Sequence, residues 1–397
     1  MEWEKEASRM QNIYAGSDLT IAATDSPDGL SGCFPDTSSY GSMYAEVFAT
    51  TNTASGQECI VQVHVGDLRT VASDSILNTR GWVLQEMVLS HRTLNCMHSA
   101  LFWQCKTHLR TDSGLVLNCS APSIRQSISG APDATTTEMH RYWWTWMESY
   151  SERQFTIPDD RLPAMAGLVR HYQTASNDEP MLGLWKRSFT QDLLWMRRGT
   201  LGILEPDSRL RNMPSWSWLS CPTTINFDYW GASDAKSGKE QLQIVTDHAS
   251  LADWNIQWVD EPLVSDLESS KVVIEGPVIE LTFSTSPEGF GYRPPYLNIN
   301  NEILDFERKK IPWRCAAQFD QFDAQDRRFP ARYLCLLLRS RVYETETSFE
   351  VKEAFVILEP VDGSRDIYKR VGQGTITGDS PDTQTFDLQM RRRLELV

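Results

Sequence analysis

The densest chemistry in the sequence lies between Asn78 and Arg92, where Arg80, Glu86 and Arg92 are charged among Trp82, Leu84, Met87 and Leu89. Read as one helix, the segment sets Trp82 and Glu86 one turn apart on the same face. A carboxylate beside an indole wall is desolvated, which raises its pKa unless an arginine stands next to it. Two readings stay open. In one, Glu86 pairs with Arg80 or Arg92 and the ion pair orients the helix. In the other, Glu86 is an acidic site residue beside a stacking surface.

Cys96-x-His98 and Cys105-x-x-His108 place four nitrogen and sulfur donors within thirteen residues, a set that suits tetrahedral zinc. The pairs fall on two adjacent predicted strands, where residues two apart point the same way and residues three apart do not. The usual C-x₂₋₄-C or H-x₃₋₅-H spacing is also missing, so packed thiols and surface imidazoles are favoured and no metal ligand is assigned. The sequence contains no G-x-S-x-G, no H-E-x-x-H and no Walker motif. Gly289-Phe290-Gly291 and Gly372-Gln373-Gly374 lack the strand-to-helix setting of a dinucleotide cradle and read as loops. Trp143, Trp144 and Trp146 on one helix, and Trp216 with Trp218 on one strand face, could stack a base or sugar. Each such ring removes roughly 150–250 Å² from water when buried, which favours a core role. Trp216 and Trp218, preceded by Pro214, are expected to anchor the junction between the two halves.

The elements that position these residues follow from periodicity. Trp3, Ala7, Met10 and Tyr14 predict an amphipathic helix over the first fourteen residues, ended by Gly16. Asp18–Ala23 reads as a short buried strand. Residues 25–58 read as a long surface loop with a strand at Met43–Phe48, and Ile60–Val65 alternates as a half-buried strand. A helix near Ile76–Met87, capped by Asp74, precedes a strand pair at Arg92–Met97 and Ala100–Cys105. Residues 111–136 are loop-like, Arg141–Phe155 is an aromatic-rich helix, and Pro158–Val169 is a helix with proline in its first turn. Beyond residue 214 the period shifts to two: Ser215–Trp218, Gln241–Val245, Lys271–Phe283, Tyr333–Arg339, Ala354–Leu358 and Ile367–Val371 predict a mainly antiparallel β half. Ser284–Pro295 reads as a flexible excursion.

The 397 residues carry 38 Lys plus Arg against 53 Asp plus Glu, a net charge of −15 that repels phosphate backbones and anionic lipid. The one tight basic run, Arg391-Arg392-Arg393, is too short to reverse that, so no nucleic-acid partner is expected. No apolar stretch approaches the ~20 residues that span a bilayer. The acidic opening is unlike a secretory leader, and the eight cysteines are irregularly spaced. A reduced, cytoplasmic setting follows, in which the sequon Asn118-Cys119-Ser120 carries no meaning.

Several of these residues fall into a familiar order. Trp3, Glu6, Met10, Ile13-Tyr14-Ala15, Thr20-Ile21-Ala22-Ala23, Gly29-Leu30, Arg80-Gly81-Trp82, Gln85-Glu86, Leu89-Ser90, Arg92 and Trp103-x-Cys105 resemble the second half of the fungal heterokaryon-incompatibility (HET) domain. Tyr150-Ser151, Arg153, Thr156, Asp160–Ala164, Gly167, Gly183-Leu184-Trp185, Leu193–Trp195 and Pro214–Trp218 resemble the segment that follows it in large proteins of this family. Family members open with strands that are not found here, so the resemblance implies an N-terminally shortened HET domain. The missing strands are then what would cover the Trp3, Met10 and Tyr14 face.

The resemblance implies an α+β chain. Residues 1–110 would be the C-terminal part of a HET domain, remotely TIR-like and α/β in layer. Residues 111–220 would be the Trp-rich helical segment; after 220 the resemblance thins, and 221–397 is a β-rich region for which a structural or carbohydrate-type module is a separate reading. It implies a cytoplasmic regulator of vegetative incompatibility and programmed cell death in non-self recognition, acting through protein partners, without cofactor and without catalysis as this chain. The alternative it implies is a TIR-like NAD nucleosidase. Glu86 would be catalytic, Trp82 would stack the base, Arg80 or Arg92 would bind phosphate, and NAD would be the substrate, its departing positive charge stabilised by a fixed carboxylate.

Overall fold

The computed structural model describes residues 2–33, 45–52, 56, 58–65, 75–97, 101–105, 108–111, 116–117, 136–198, 212–221, 223–227, 242–284, 296–298, 313–320, 331–344, 349–361, 363–379 and 385–397. The chain is α+β and divides into two compact units, one of residues 5–133 with 153–156, the other of residues 1–4, 134–152 and 157–397.

In the first of these, helix α1 (Glu2–Gly16) leads into β1 (Thr20–Ala23). A hairpin of β2 (Ala45–Asn52) and β3 (Glu58–Val65) follows. Then come helix α2 (Val83–Leu89), β4 (Arg92–Cys96), β5 (Leu101–Cys105), β6 (Leu109–Thr111) and β7 (Val116–Leu117). The five-stranded sheet has the order β1-β4-β5-β6-β7, with β1 parallel to β4 and the other pairs antiparallel. A parallel pair needs a crossover, and α2 lies in the connection that supplies it. β1 sits at the sheet edge and is not the buried strand expected: Ile21 is 61 % exposed, and Leu19 and Ile13 are exposed with it. The buried side of this unit is made by Val83, Leu84, Val88, Leu89, Cys96, Met97 and Phe102.

The second unit opens with α3 (Thr136–Ser151) and α4 (Pro163–Ser176), then the short pair β8 (Pro180–Met181) and β9 (Leu184–Trp185). After α5 (Phe189–Asp192), β10 (Met196–Arg197) pairs with β11 (Ile225–Asn226). Trp143, Trp146, Trp185, Trp195, Trp216 and Trp218 are fully buried, so the tryptophans are core. Ser215–Trp218 is not a strand. It is a turn running into a 3₁₀ turn at Trp218–Ser220, held because Ser217 Oγ accepts the Leu219 N–H and donates to the Leu182 carbonyl at 2.6 Å. The segment does join the helical and β parts of this unit: Trp195 donates to the Trp216 carbonyl at 3.0 Å, and Ser215 donates its N–H to the Val397 carbonyl at 3.1 Å.

The β part comprises β12 (Leu242–Asp247), β13 (Ser250–Trp258), β14 (Leu267–Ser284), β15 (Tyr296–Asn298), β16 (Trp313–Phe319), β17 (Ala331–Glu344), β18 (Phe349–Pro360), β19 (Ile367–Gly378) and β20 (Arg391–Leu396). Every pairing is antiparallel except the two-residue contact of β19 with β20. Because the long β14 pairs with β20 along its first part and with β17 along its second, the path β14-β17-β18-β19-β20 closes on itself. Closure leaves these five strands without a free edge. Leu281, Phe283, Cys335, Leu337, Phe355 and Ile357 fill the adjoining core.

Gly372-Gln373-Gly374 lies inside β19 rather than in a loop. A Cβ at Gly372 would stand 2.4 Å from the Gln318 carbonyl oxygen, so glycine is there for the close approach of β16. The basic run Arg391–Arg393 is part of β20, where Arg392 pairs with Asp366 at 2.9 Å. Gly289–Gly291, the excursion at Ser284–Pro295 beyond its first residue, the sequon and the Asp74 cap lie outside the described residues. Among the described residues no helix is long and apolar enough to cross a membrane.

Candidate functional site

The segment from Asn78 to Arg92 is not one helix. A 3₁₀ turn covers Ile76–Thr79, Arg80 and Gly81 are extended or turning, α2 begins at Val83, and Arg92 already belongs to β4. The break comes from a distant strand of chain. Arg80 forms a parallel bridge to Gln154. Gly81 donates its N–H to the Gln154 carbonyl at 2.9 Å, and Gln154 donates to the Thr79 carbonyl at 2.7 Å. Arg153 Nη1 adds a bond to the Arg80 carbonyl at 3.0 Å. The Phe155 ring lies over Gly81 so closely that a Cβ there would meet it at 1.9 Å. Only glycine fits between α2 and that ring.

This clasp sets the surroundings of Glu86. The Tyr14 hydroxyl, from the last turn of α1, donates to the Glu86 carboxylate, with Arg80 and Arg153 nearby. Burial pushes the Glu86 carboxyl above its ordinary range, and the Tyr14 hydrogen bond and the two arginines only partly offset it. Burial and the Glu86 charge together push the Tyr14 phenol well above its usual range. The hydroxyl path continues behind the carboxylate. Ser90 Oγ donates to the Glu86 carbonyl at 2.6 Å and meets Thr20 Oγ1 at 2.7 Å, and Thr20 meets Ser17 at 3.2 Å. The ends of α1, β1 and α2 are thereby wired together.

Of the residues singled out from sequence, Arg80 lies near the Glu86 carboxylate, and Trp82, the residue before α2, accepts the Glu86 N–H on its carbonyl at 3.4 Å. Arg92 is not with them; its Nη1 reaches the Asp18 carbonyl at 3.3 Å. Tyr14 and Arg153 belong to the cluster and were not assigned to it from sequence. Both lie in quoted family motifs, but nothing in their local spacing links them to Glu86. Gln85, fully buried, has neither amide atom hydrogen-bonded. The two cysteines weighed as zinc donors do not converge. Cys96 stands opposite Leu101 and Cys105 opposite Arg92, four residues along the hairpin and about 13 Å apart at ~3.3 Å per residue. Among the described residues no group of three or more His, Cys, Asp or Glu could hold a metal, and His98 lies outside them.

A second polar cluster lies in the other unit. His140 Nε2 is 2.6 Å from Asp192 Oδ1 and its Nδ1 is 3.0 Å from the Tyr172 hydroxyl. Asp192 also takes the Trp144 indole N–H at 2.8 Å, the Trp185 N–H at 2.9 Å and the Ser188 hydroxyl at 3.0 Å. The three side chains resemble a nucleophile relay in type, but all are buried, and the two Asp192 oxygens are filled by four protein donors. The arrangement organises the tryptophans around it. A groove of about 690 Å³ beside Trp254 is lined by charges that answer one another. Lys186 bonds Glu179 at 3.0 Å and sits 3.8 Å over the Trp254 ring, whose N–H goes to Glu179 at 2.9 Å.

No curated protein and no solved structure matches the chain. Residues 1–86, the stretch that supplies Tyr14, Arg80, Trp82 and Glu86, match the family model for heterokaryon incompatibility protein (HET).

Proposed function

We propose that the chain is a cytoplasmic HET-family regulator that links non-self recognition in fungal heterokaryon incompatibility to cell death through protein contacts, without catalysis of its own. The HET match itself supports a role in heterokaryon incompatibility and a fungal setting. The observation that carries the finer reading is the occupancy of Glu86. Its carboxylate is engaged by the Tyr14 hydroxyl, with Arg80 and Arg153 nearby, and burial raises its pKa. A carboxyl held that way is a fastening between α1 and α2.

The test is expression of the full chain in a fungal host, scoring growth and compartment death and capturing bound proteins. Death of the expressing compartments with a specific captured protein is expected. Normal growth with nothing captured would overturn the proposal.

The second reading, a TIR-like NAD nucleosidase, draws on the half-buried Glu86 one turn from Trp82, with Arg80 at hand for phosphate. Purified protein incubated with NAD distinguishes the two. Nicotinamide release that disappears in Glu86→Gln would establish the enzyme; no release is the outcome expected here.

A further inference from the structure

β1 runs beside β4 with Ala23 opposite Cys96, and Thr24 extends the pairing by donating its N–H to the Cys96 carbonyl at 3.0 Å. The chain then leaves the sheet in a loop with its own wiring. The Asp28 carboxylate takes the N–H groups of Leu30 and Ser31, both at 2.9 Å, and the Ser31 hydroxyl at 2.8 Å. The Ser26 hydroxyl closes across the loop onto the Gly32 carbonyl. The loop thus returns to where it began, and the Cys33 thiol is hydrogen-bonded to the Cys96 thiol. The two sulfurs are 63 residues apart in sequence and opposite in access. Cys33 is exposed and Cys96 is buried, and both are free thiols.

An exposed thiol in contact with a buried one is the arrangement of an attacking and a resolving cysteine. We propose that Cys33 and Cys96 form a reversible disulfide, made by peroxide and broken by a dithiol, that fastens the loop of residues 24–33 to β4. The Cys33 sulfur attacks one peroxide oxygen and the O–O bond breaks. The departing hydroxide takes the thiol proton as water, leaving a sulfenic acid on Cys33. The Cys96 sulfur then attacks the Cys33 sulfur and the S–O bond breaks. The second hydroxide leaves as water with the Cys96 proton, so two thiols and one peroxide become a disulfide and two waters. Burial pushes the Cys96 thiol up, so it stays protonated while peroxide reacts first at the accessible sulfur. Closing the bond turns a hydrogen-bonded loop into a covalent one directly beside β1, the exposed edge of the HET sheet.

The test uses the full-length chain, fully reduced and then exposed to hydrogen peroxide. Free thiols are alkylated, and peptides are mapped by mass spectrometry without reduction. A Cys33–Cys96 cross-linked peptide is expected in the wild type, depleted at least tenfold by subsequent dithiothreitol and absent from Cys33→Ser. Cys33 is exposed, so that variant keeps the fold and serves as the control even if Cys96→Ala does not fold. Three results would each overturn the proposal: both cysteines still free, Cys33 linked to a different cysteine, or Cys33 carried to sulfinic or sulfonic acid with Cys96 still free.

Discussion

Glu86 brings a carboxylate into a position where its neutral form is favoured, and that has a definite consequence for stability. Its folded pKa is raised by burial, so between the unfolded and folded values the native state binds more protons than the unfolded chain. The contribution of Glu86 is therefore most favourable at low pH, and stability is lost as pH rises from the ordinary glutamate range through the folded value. In Glu86→Gln this loss disappears, while the amide oxygen still accepts from Tyr14. Denaturant unfolding of the two proteins at pH 4 and pH 7 is expected to find Glu86→Gln gaining on the wild type as pH rises. Removing the buried Asp192 leaves His140, the Trp144 and Trp185 N–H groups and Ser188 without their acceptor. Asp192→Ala should cost about 3–5 kcal/mol in a chemical melt, the range for breaking a buried hydrogen-bonded charge.

At the scale of elements, the turn between Ile76–Thr79 and α2 is shaped by residues 153–155. Gly81→Ala would drive a methyl into the Phe155 ring and should destabilise by about 1–3 kcal/mol, the range for forced overpacking. Gly81→Ala combined with Phe155→Ala should recover part of that loss by thermal melt, because the clash is then removed. The same turn marks a limit of sequence reading. The period through Trp82, Leu84, Met87 and Leu89 is helical, but nothing local says that Arg80 bridges to Gln154, so a helix read from Ile76 starts seven residues too early. The β half was far more legible. β14, β17, β18 and β19 each contain the run that predicted them, with Tyr333–Arg339 and Ala354–Leu358 as continuous stretches buried on both faces, and β12 covers all of its run after the first residue. Ser215–Trp218 alternates as well, yet Ser217 and its hydrogen bonds fold it into a turn. The alternation there records packing of two indoles in one core rather than a sheet face.

For the whole molecule, Trp143, Trp144, Trp146, Trp216 and Trp218 were legible as core, and the first 86 residues as similar to the HET domain. What could not be read were the pairings across long separations: Tyr14 with Glu86, Arg153 with Arg80, and His140 with Asp192. These are set by tertiary packing and leave no periodic trace. They decide the functional reading, because the same Glu86 serves as a fastening or as a catalyst according to what surrounds it. Glutamine separates the two roles, since it keeps the hydrogen-bond acceptor and removes the ionisable group. The decisive measurement is compartment death in a fungal host expressing wild type or Glu86→Gln at matched protein levels. The account predicts that the wild type kills and that Glu86→Gln stays within about twofold of it. A well-folded Glu86→Gln protein that has lost the response altogether would contradict it.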